Sequence, residues 1–213
     1  MDFLPSFATL LAFAAATLLL AATPGPDMTL SISRALAQGK KAALFVVLGT
    51  SLGIVVHTML VAFGISALIT ASPTAFLILK TGGAAYLLWL AVQAIRFGSK
   101  LTVAKVEEPK GTALSNVSSG FWVNLLNPKV IIFFMTFLPQ FVSAGDPAVT
   151  HKLLFLGFCF ILIGMPVNAS VVFAADWLAS WLQKNRKVLR GMDYTFAGVF
   201  SIFALKIFMT QGR

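Results

Sequence analysis

TPGPDMTL, residues 23–30, interrupts an apolar run that begins at Phe7 and would otherwise make one long helix. Pro24 and Pro26 lack the N–H groups that would bond the carbonyls of Leu20 and Ala22. Their rings also crowd those oxygens, so a helix passing through must kink or break. Gly25 between them adds permissive backbone and allows close approach. A break of this kind in hydrocarbon survives only where the freed backbone is buried in protein or lines a wet cavity.

The rest of the chain says that hydrocarbon is the relevant solvent. Of 213 residues, 58% are hydrophobic and 11% charged, and the mean hydropathy is +0.90. A soluble domain carries about 25% charged residues. Apolar segments occur at 6–38, 42–69, 73–96, 120–142, 152–178 and 193–210, each reaching the roughly 20 residues that a bilayer crossing needs. The sequence therefore predicts an all-α integral membrane protein with six transmembrane helices in one domain. Residues 97–119 form the only long polar stretch and read as a cytoplasmic connector. The apolar N-terminal stretch is preceded by Asp2 and by no Lys or Arg, so it reads as a retained first helix and not as a signal peptide. Cys159 stands alone in an apolar run and reads as packing.

Sixteen basic against seven acidic residues give a net charge of +9. No basic stripe interleaved with aromatics appears, which argues against nucleic acid. Basic residues gather instead at alternate connections: Arg34, Lys40 and Lys41; Arg96, Lys100, Lys105 and Lys110; Lys184, Arg186, Lys187 and Arg190. Between them TASPT carries none, and the fourth connection carries only Lys152. By the positive-inside rule the basic connections are cytoplasmic and both termini face away from the cytoplasm. Trp177 and Trp181 fit an aromatic belt at the cytoplasmic interface.

The opening motif has a faint counterpart. PGPDMTLSISRALAQG (24–39) set against LNPKVIIFFMTFLPQF (126–141) places Pro26 on Pro128, Asp27 on Lys129 and Gln38 on Gln140. The segment from Gly49 matches in hydropathy the one from Gly157, and each half ends in a further span. Three spans per half is an odd number, so the halves 1–96 and 120–213 have opposite topology. Such inverted repeats, with helices 1 and 4 broken at proline motifs, are a layout of secondary transporters that bind substrate near the midplane.

Within that layout Pro24, Gly25, Pro26 and Asp27 face Asn124, Asn127, Pro128 and Lys129 as candidate substrate-binding residues. A helix restarting at Pro26 points its first N–H groups, with a partial positive charge, at a carboxylate. The freed upstream carbonyls suit an ammonium group. Pro128 likewise frees the carbonyl of Asn124. Charges at membrane depth cost about 2.5–3.5 kcal/mol and are by default paired or functional. Asp27 and Lys129 are therefore expected near each other, sharing a proton or exchanging partners. Asp27 also reads as a helix-start acid behind an N-cap at Thr23, and Lys129 as a snorkelling lysine. Both alternatives stay open.

Further polar residues lie in the spans. His57 is a third proton-coupling candidate or a bundle hydrogen-bonder. Asn168, just after Pro166, lines the cavity at a kink or bonds another helix. Lys80 reads as snorkelling, and Asp176 and Asp193 as surface partners of the basic cytoplasmic end. Gly49 and Gly53 permit close helix contact, within one subunit or across a homodimer. No metal or cofactor motif is present, and Glu107 and Glu108 are the only adjacent carboxylates, so an enzyme is not expected.

PGP before a basic-ended helix, then GTSLGIVVHTMLVAFG, KTGGAAYLLWLAVQAIR and GFWVNLLNPKVIIFFMTFLPQFV, resemble the LysE/RhtB family of amino-acid exporters over nearly the whole chain. The resemblance implies a multi-pass carrier of the bacterial inner membrane. It would expel amino acids or close derivatives, drive this with protons and need no cofactor. The family pattern commonly has Asn after P-G-P where this chain has Asp27, so the resemblance does not extend to that residue. A passive channel or a membrane scaffold for small zwitterions is the alternative.

Overall fold

A computed structural model describes residues 4–97, 111–143 and 146–210. Every regular element among them is helical. Lys100, Lys105, Glu107, Glu108 and Lys110 of the connector lie outside the described residues, as do the side chains of Lys80 and Arg186.

Helix α1 (Phe7–Ala22) starts on a Ser6 cap and stops where the sequence says it must. Thr23 closes it, donating its hydroxyl to the Leu19 carbonyl at 2.6 Å. Helix α2 (Pro26–Gln38) restarts after Gly25, bent by 50° from α1. The restart two residues later than a Thr23 cap implies, with Gly25 as the N-cap, corrects that alternative, although Asp27 does fall in the first turn of the new helix. Gly39, at φ +90, joins α2 directly to α3 (Lys40–Ala71). Ser72 alone makes the turn into α4 (Pro73–Phe97), its hydroxyl accepting the Ala75 N–H at 3.2 Å.

In the second half, α5 (Ala113–Leu125) begins on a Thr112 cap, so the expected connector 97–119 is too long at its C-terminal end. A local cap outweighed its polar composition. Helix α6 (Pro128–Ile132) follows a break with a 53° bend. The chain then widens into a π turn at Phe133–Phe137 and tightens into a 3-10 turn at Leu138–Phe141. Pro139 has no N–H for the carbonyl one turn back, which favours the change of winding there. Helix α7 (Val149–Phe173) stays continuous through Pro166 and ends at Phe173. Residues 175–178, expected in the fifth span, instead open a separate amphipathic helix, α8 (Ala175–Lys184). Helix α9 (Arg186–Thr210) starts seven residues before the expected sixth span.

Lys40–Gly64 and Val149–Phe173 are long and apolar enough to cross a membrane, and each bent pair crosses as one further span if its halves count together. Helices α4 and α9, 25 residues each, are about 37 Å long, more than the roughly 30 Å hydrocarbon core, but are not among those four. They pack against each other, while α3 packs on α5 and α7, and α1 on α7. Phe13, Phe133, Phe134, Phe137, Phe160 and Phe200 form the main core. Asp146, in the loop before α7, pairs with Lys152 in the first turn of that helix. That bond and the Ala148 N–H hold the Asp146 carboxyl below its ordinary value, and the loop's basic charge is offset.

Glycine lets α3 and α5 approach closely. A Cβ on Gly49 would lie 2.0 Å from the Val117 carbonyl, and one on Gly120 would lie 2.2 Å from that of Val46. The Gly49–Gly53 contact therefore lies within one subunit, between α3 and α5. A Cβ on Gly53 would meet Asn124 Oδ1 at 2.5 Å, so this contact also fixes where Asn124 sits.

Candidate functional site

The two breaks meet, and each charge is held by the opposite half. Asp27, in the first turn of α2, accepts Asn124 Nδ2 at 2.7 Å on one carboxylate oxygen and Asn127 Nδ2 at 3.1 Å on the other. Lys129 Nζ donates to the carbonyls of Leu20 and Thr23, both at 2.7 Å. Asp27 and Lys129 line one cavity, yet their hydrogen bonds go to these partners and not to each other. Bonds to charged groups are the stronger kind, and four of them cross between the halves here.

Local chemistry explains the arrangement. Asn127 caps α6: its Oδ1 accepts the Lys129 N–H at 3.0 Å, which leaves its Nδ2 for Asp27. Pro128 follows at the first helical position, where its missing N–H costs nothing. Pro24 removes the partner of the Leu20 carbonyl, and Lys129 replaces it. The freed Leu20 carbonyl, suited by sequence to an ammonium group, thus accepts the ammonium of Lys129. The Asn124 carbonyl likewise accepts the Asn127 N–H at 3.0 Å and lies 3.5 Å from His57 Nε2. Buried carbonyls find partners because leaving them unmet is costly.

The cavity between the breaks is about 50 Å³, room for a few waters. Gly25, Asp27, Asn124, Asn127, Lys129 and Asn168 line it, with Thr50 and Ser51 of α3. Pro24 and Pro128 instead face a second cavity, Pro26 lines neither, and His57 sits behind Asn124 against the Phe134 ring. Asn124 is 2% exposed, and its Oδ1 has no partner among the described residues. An orphaned buried acceptor at a cavity wall is what a ligand N–H or a water satisfies.

Asp193 corrects the sequence reading. Its expected place was the charged surface end of a span, but α9 begins at Arg186, so Asp193 lies two turns inside the helix and is 2% exposed. Together with Thr23 and Lys129 it lines the second cavity, of about 400 Å³. The misplaced start of α9 hid it: the basic run 184–190 reads as a loop, but Lys184 ends α8 and 186–190 form the first turns of α9. Asp176 is exposed, as expected. Trp177 and Trp181 stack with ring centroids 5.4 Å apart on α8.

The comparisons agree with this all-helical membrane architecture. The chain is 29% identical over 184 residues to a homoserine/homoserine lactone efflux protein of Salmonella typhimurium, covering 86% of this chain and 88% of that protein. It is 31% identical over 195 residues to an uncharacterized membrane protein of Vibrio cholerae, covering 89% and 91%. A leucine efflux protein of Enterobacter is 25% identical over 187 residues, covering 86% and 87%. No solved structure matches. The LysE type translocator model matches residues 18–211, so this multi-pass helical chain belongs to the LysE type translocator family.

Proposed function

We propose that the protein is a secondary transporter that exports amino acids or close derivatives from the cytoplasm by alternating access, driven by the proton motive force. The observation that carries this reading is the reciprocal holding of Asp27 and Lys129 across the two broken helices. A free amino acid carries the same two groups, a carboxylate and an ammonium. Its carboxylate competes with Asp27 for the amides of Asn124 and Asn127, and its ammonium competes with Lys129 for the carbonyls of Leu20 and Thr23. Substrate binding thereby cuts the ties between halves, and the released Asp27 and Lys129 turn to each other. Asp27 then takes a proton from outside after substrate leaves, with Lys129 and His57 as partners in the relay.

The relatives named for efflux of homoserine, its lactone and leucine support the substrate class. The packing supports two inverted halves, 1–96 and 120–213, of three spans each: exchanging α1 with α5 and α3 with α7 turns the α3–α5 contact into the α7–α1 contact, and both exist. We place the chain in the bacterial inner membrane with both termini outside, since Arg34, Lys40, Lys184 and Lys187 then face the cytoplasm. Counterflow tests the carrier. Proteoliposomes preloaded with unlabelled amino acid accelerate uptake of the labelled one through a carrier, whereas unchanged uptake makes the protein a channel. A screen of growth inhibition by dipeptides, with and without the protein, identifies the substrate.

A further inference from the structure

Two glycines on α7 differ in what surrounds them. A Cβ on Gly157 would lie 2.2 Å from the Thr58 side chain, so packing against α3 requires that glycine. A Cβ on Gly164 would meet only the Phe160 ring among the described residues, at 3.6 Å, which is an ordinary contact. Glycine inside a helix is less stable than alanine, and packing gives Gly164 no compensating reason. Gly164 does line the cavity between the breaks. Phe160, Ile161, Met165 and Asn168 line it too, at spacings that put all five residues on one face of α7. The helix runs unbroken through Pro166, so that face is continuous. It carries no charge: among the described residues, the charged groups lining this cavity are Asp27 and Lys129.

We propose that this face of α7 is the subsite for the substrate's side chain, that it takes a short uncharged one, and that Gly164 sets the size accepted. This deepens the exporter reading and rests on the binding pose given there. With the substrate's carboxylate at Asn124 and Asn127 and its ammonium at the Leu20 and Thr23 carbonyls, the two breaks hold both polar ends. The α7 face is the continuous apolar wall that remains for the side chain. Phe160, Ile161 and Met165 give it apolar surface, and Asn168 ends it with an amide, which can bond a hydroxyl but neutralises no charge. A lysine or glutamate side chain would lie against this wall unpaired, which is costly away from water. The cavity is about 50 Å³, so a methyl group, close to a water in size, takes a large share of it. The space left by the missing Cβ of Gly164 therefore decides how far a side chain can branch or extend.

Size selection is read from binding. Purified protein is titrated with alanine, valine, leucine and lysine, and the affinity for each is taken from the rise in unfolding temperature with concentration. Lysine is expected to bind at least about tenfold more weakly than leucine. Gly164→Ala should lower the ratio of leucine to alanine affinity about tenfold or more, since one methylene in an apolar pocket is worth roughly 10–200-fold. Met165→Ala enlarges the same wall and should raise that ratio, and it decides the matter if Gly164→Ala does not fold. Gly198→Ala, whose Cβ meets nothing within 4 Å and which lies outside the cavity, should leave the ratio unchanged. A ratio that Gly164→Ala leaves at the wild-type value, one that Gly198→Ala moves as far, or lysine binding as tightly as leucine overturns the subsite. Counterflow in proteoliposomes is measured in parallel with the same amino acids. Size-ordered binding without counterflow sinks the exporter reading and keeps the subsite, whereas counterflow at one leucine-to-alanine ratio in every variant sinks the subsite alone. Neither binding nor counterflow with any of these amino acids overturns both.

Discussion

Lys129 and Asp27 carry the residue-scale argument, because each satisfies backbone or amide groups that its own half cannot. Replacing Lys129 by Met leaves the Leu20 and Thr23 carbonyls unmet, at a cost of about 1–3 kcal/mol per group. Lys129→Met is therefore expected to unfold at a lower temperature in detergent, while Lys129→Arg, which can still donate, recovers part of the loss. An unchanged midpoint for Lys129→Met would mean that the carbonyls find other partners. Asn127→Ala removes both the α6 cap and one Asp27 bond. It should destabilise by about 1 kcal/mol or more. The residue types of this site were legible in the sequence, since prolines that free carbonyls and charges at membrane depth are visible in one dimension. Which group bonds which was not: Pro24 frees a carbonyl, but only the meeting of the halves shows Lys129 filling it. Asp193 was misread for a related reason, since its burial depends on where α9 begins.

At the scale of elements, the two breaks stood out because Pro at a helix restart has a local cause, and their bends of 50° and 53° follow from it. The π and 3-10 turns after α6 and the separate α8 did not, because they answer to packing: α8 rests Ala175 and Ala179 against Met28 and Ile32 of α2. The α3–α5 contact makes a sharp prediction. Gly120→Ala pushes a Cβ against the Val46 carbonyl, and overpacking of this kind costs about 1–3 kcal/mol. Gly53→Ala should damage transport beyond its effect on stability, because the atom it meets is the Asn124 amide. Gly64→Ala and Gly198→Ala, with nothing within 4 Å, serve as controls and should be neutral. Thermal unfolding and transport measured on the same preparations separate the two effects, and a Gly53→Ala protein with normal transport would remove Asn124 from the site.

For the whole molecule, hydropathy and the alternation of basic connections were enough to read a helical membrane protein, while the extent of each span was not, because caps and packing move the ends. Orientation makes a prediction of its own. Cysteines placed at Ser72 and at Lys184, in a Cys159→Ser background, should be labelled from opposite sides of intact cells by a membrane-impermeant thiol reagent, Ser72→Cys from outside. Labelling of both from the same side would reverse the proposed topology. The central claim is that the meeting of two broken helices, tied by Asp27 and Lys129, is where an amino acid is bound and its export coupled to protons. The most direct measurement is amino-acid transport driven by a pH gradient in proteoliposomes holding wild-type protein, Asp27→Asn or Lys129→Met. Each variant is expected to lose at least about tenfold in the gradient-driven rate, the loss of a bond to a charged group being worth that much. Proton-driven transport at the wild-type rate in both variants would contradict it.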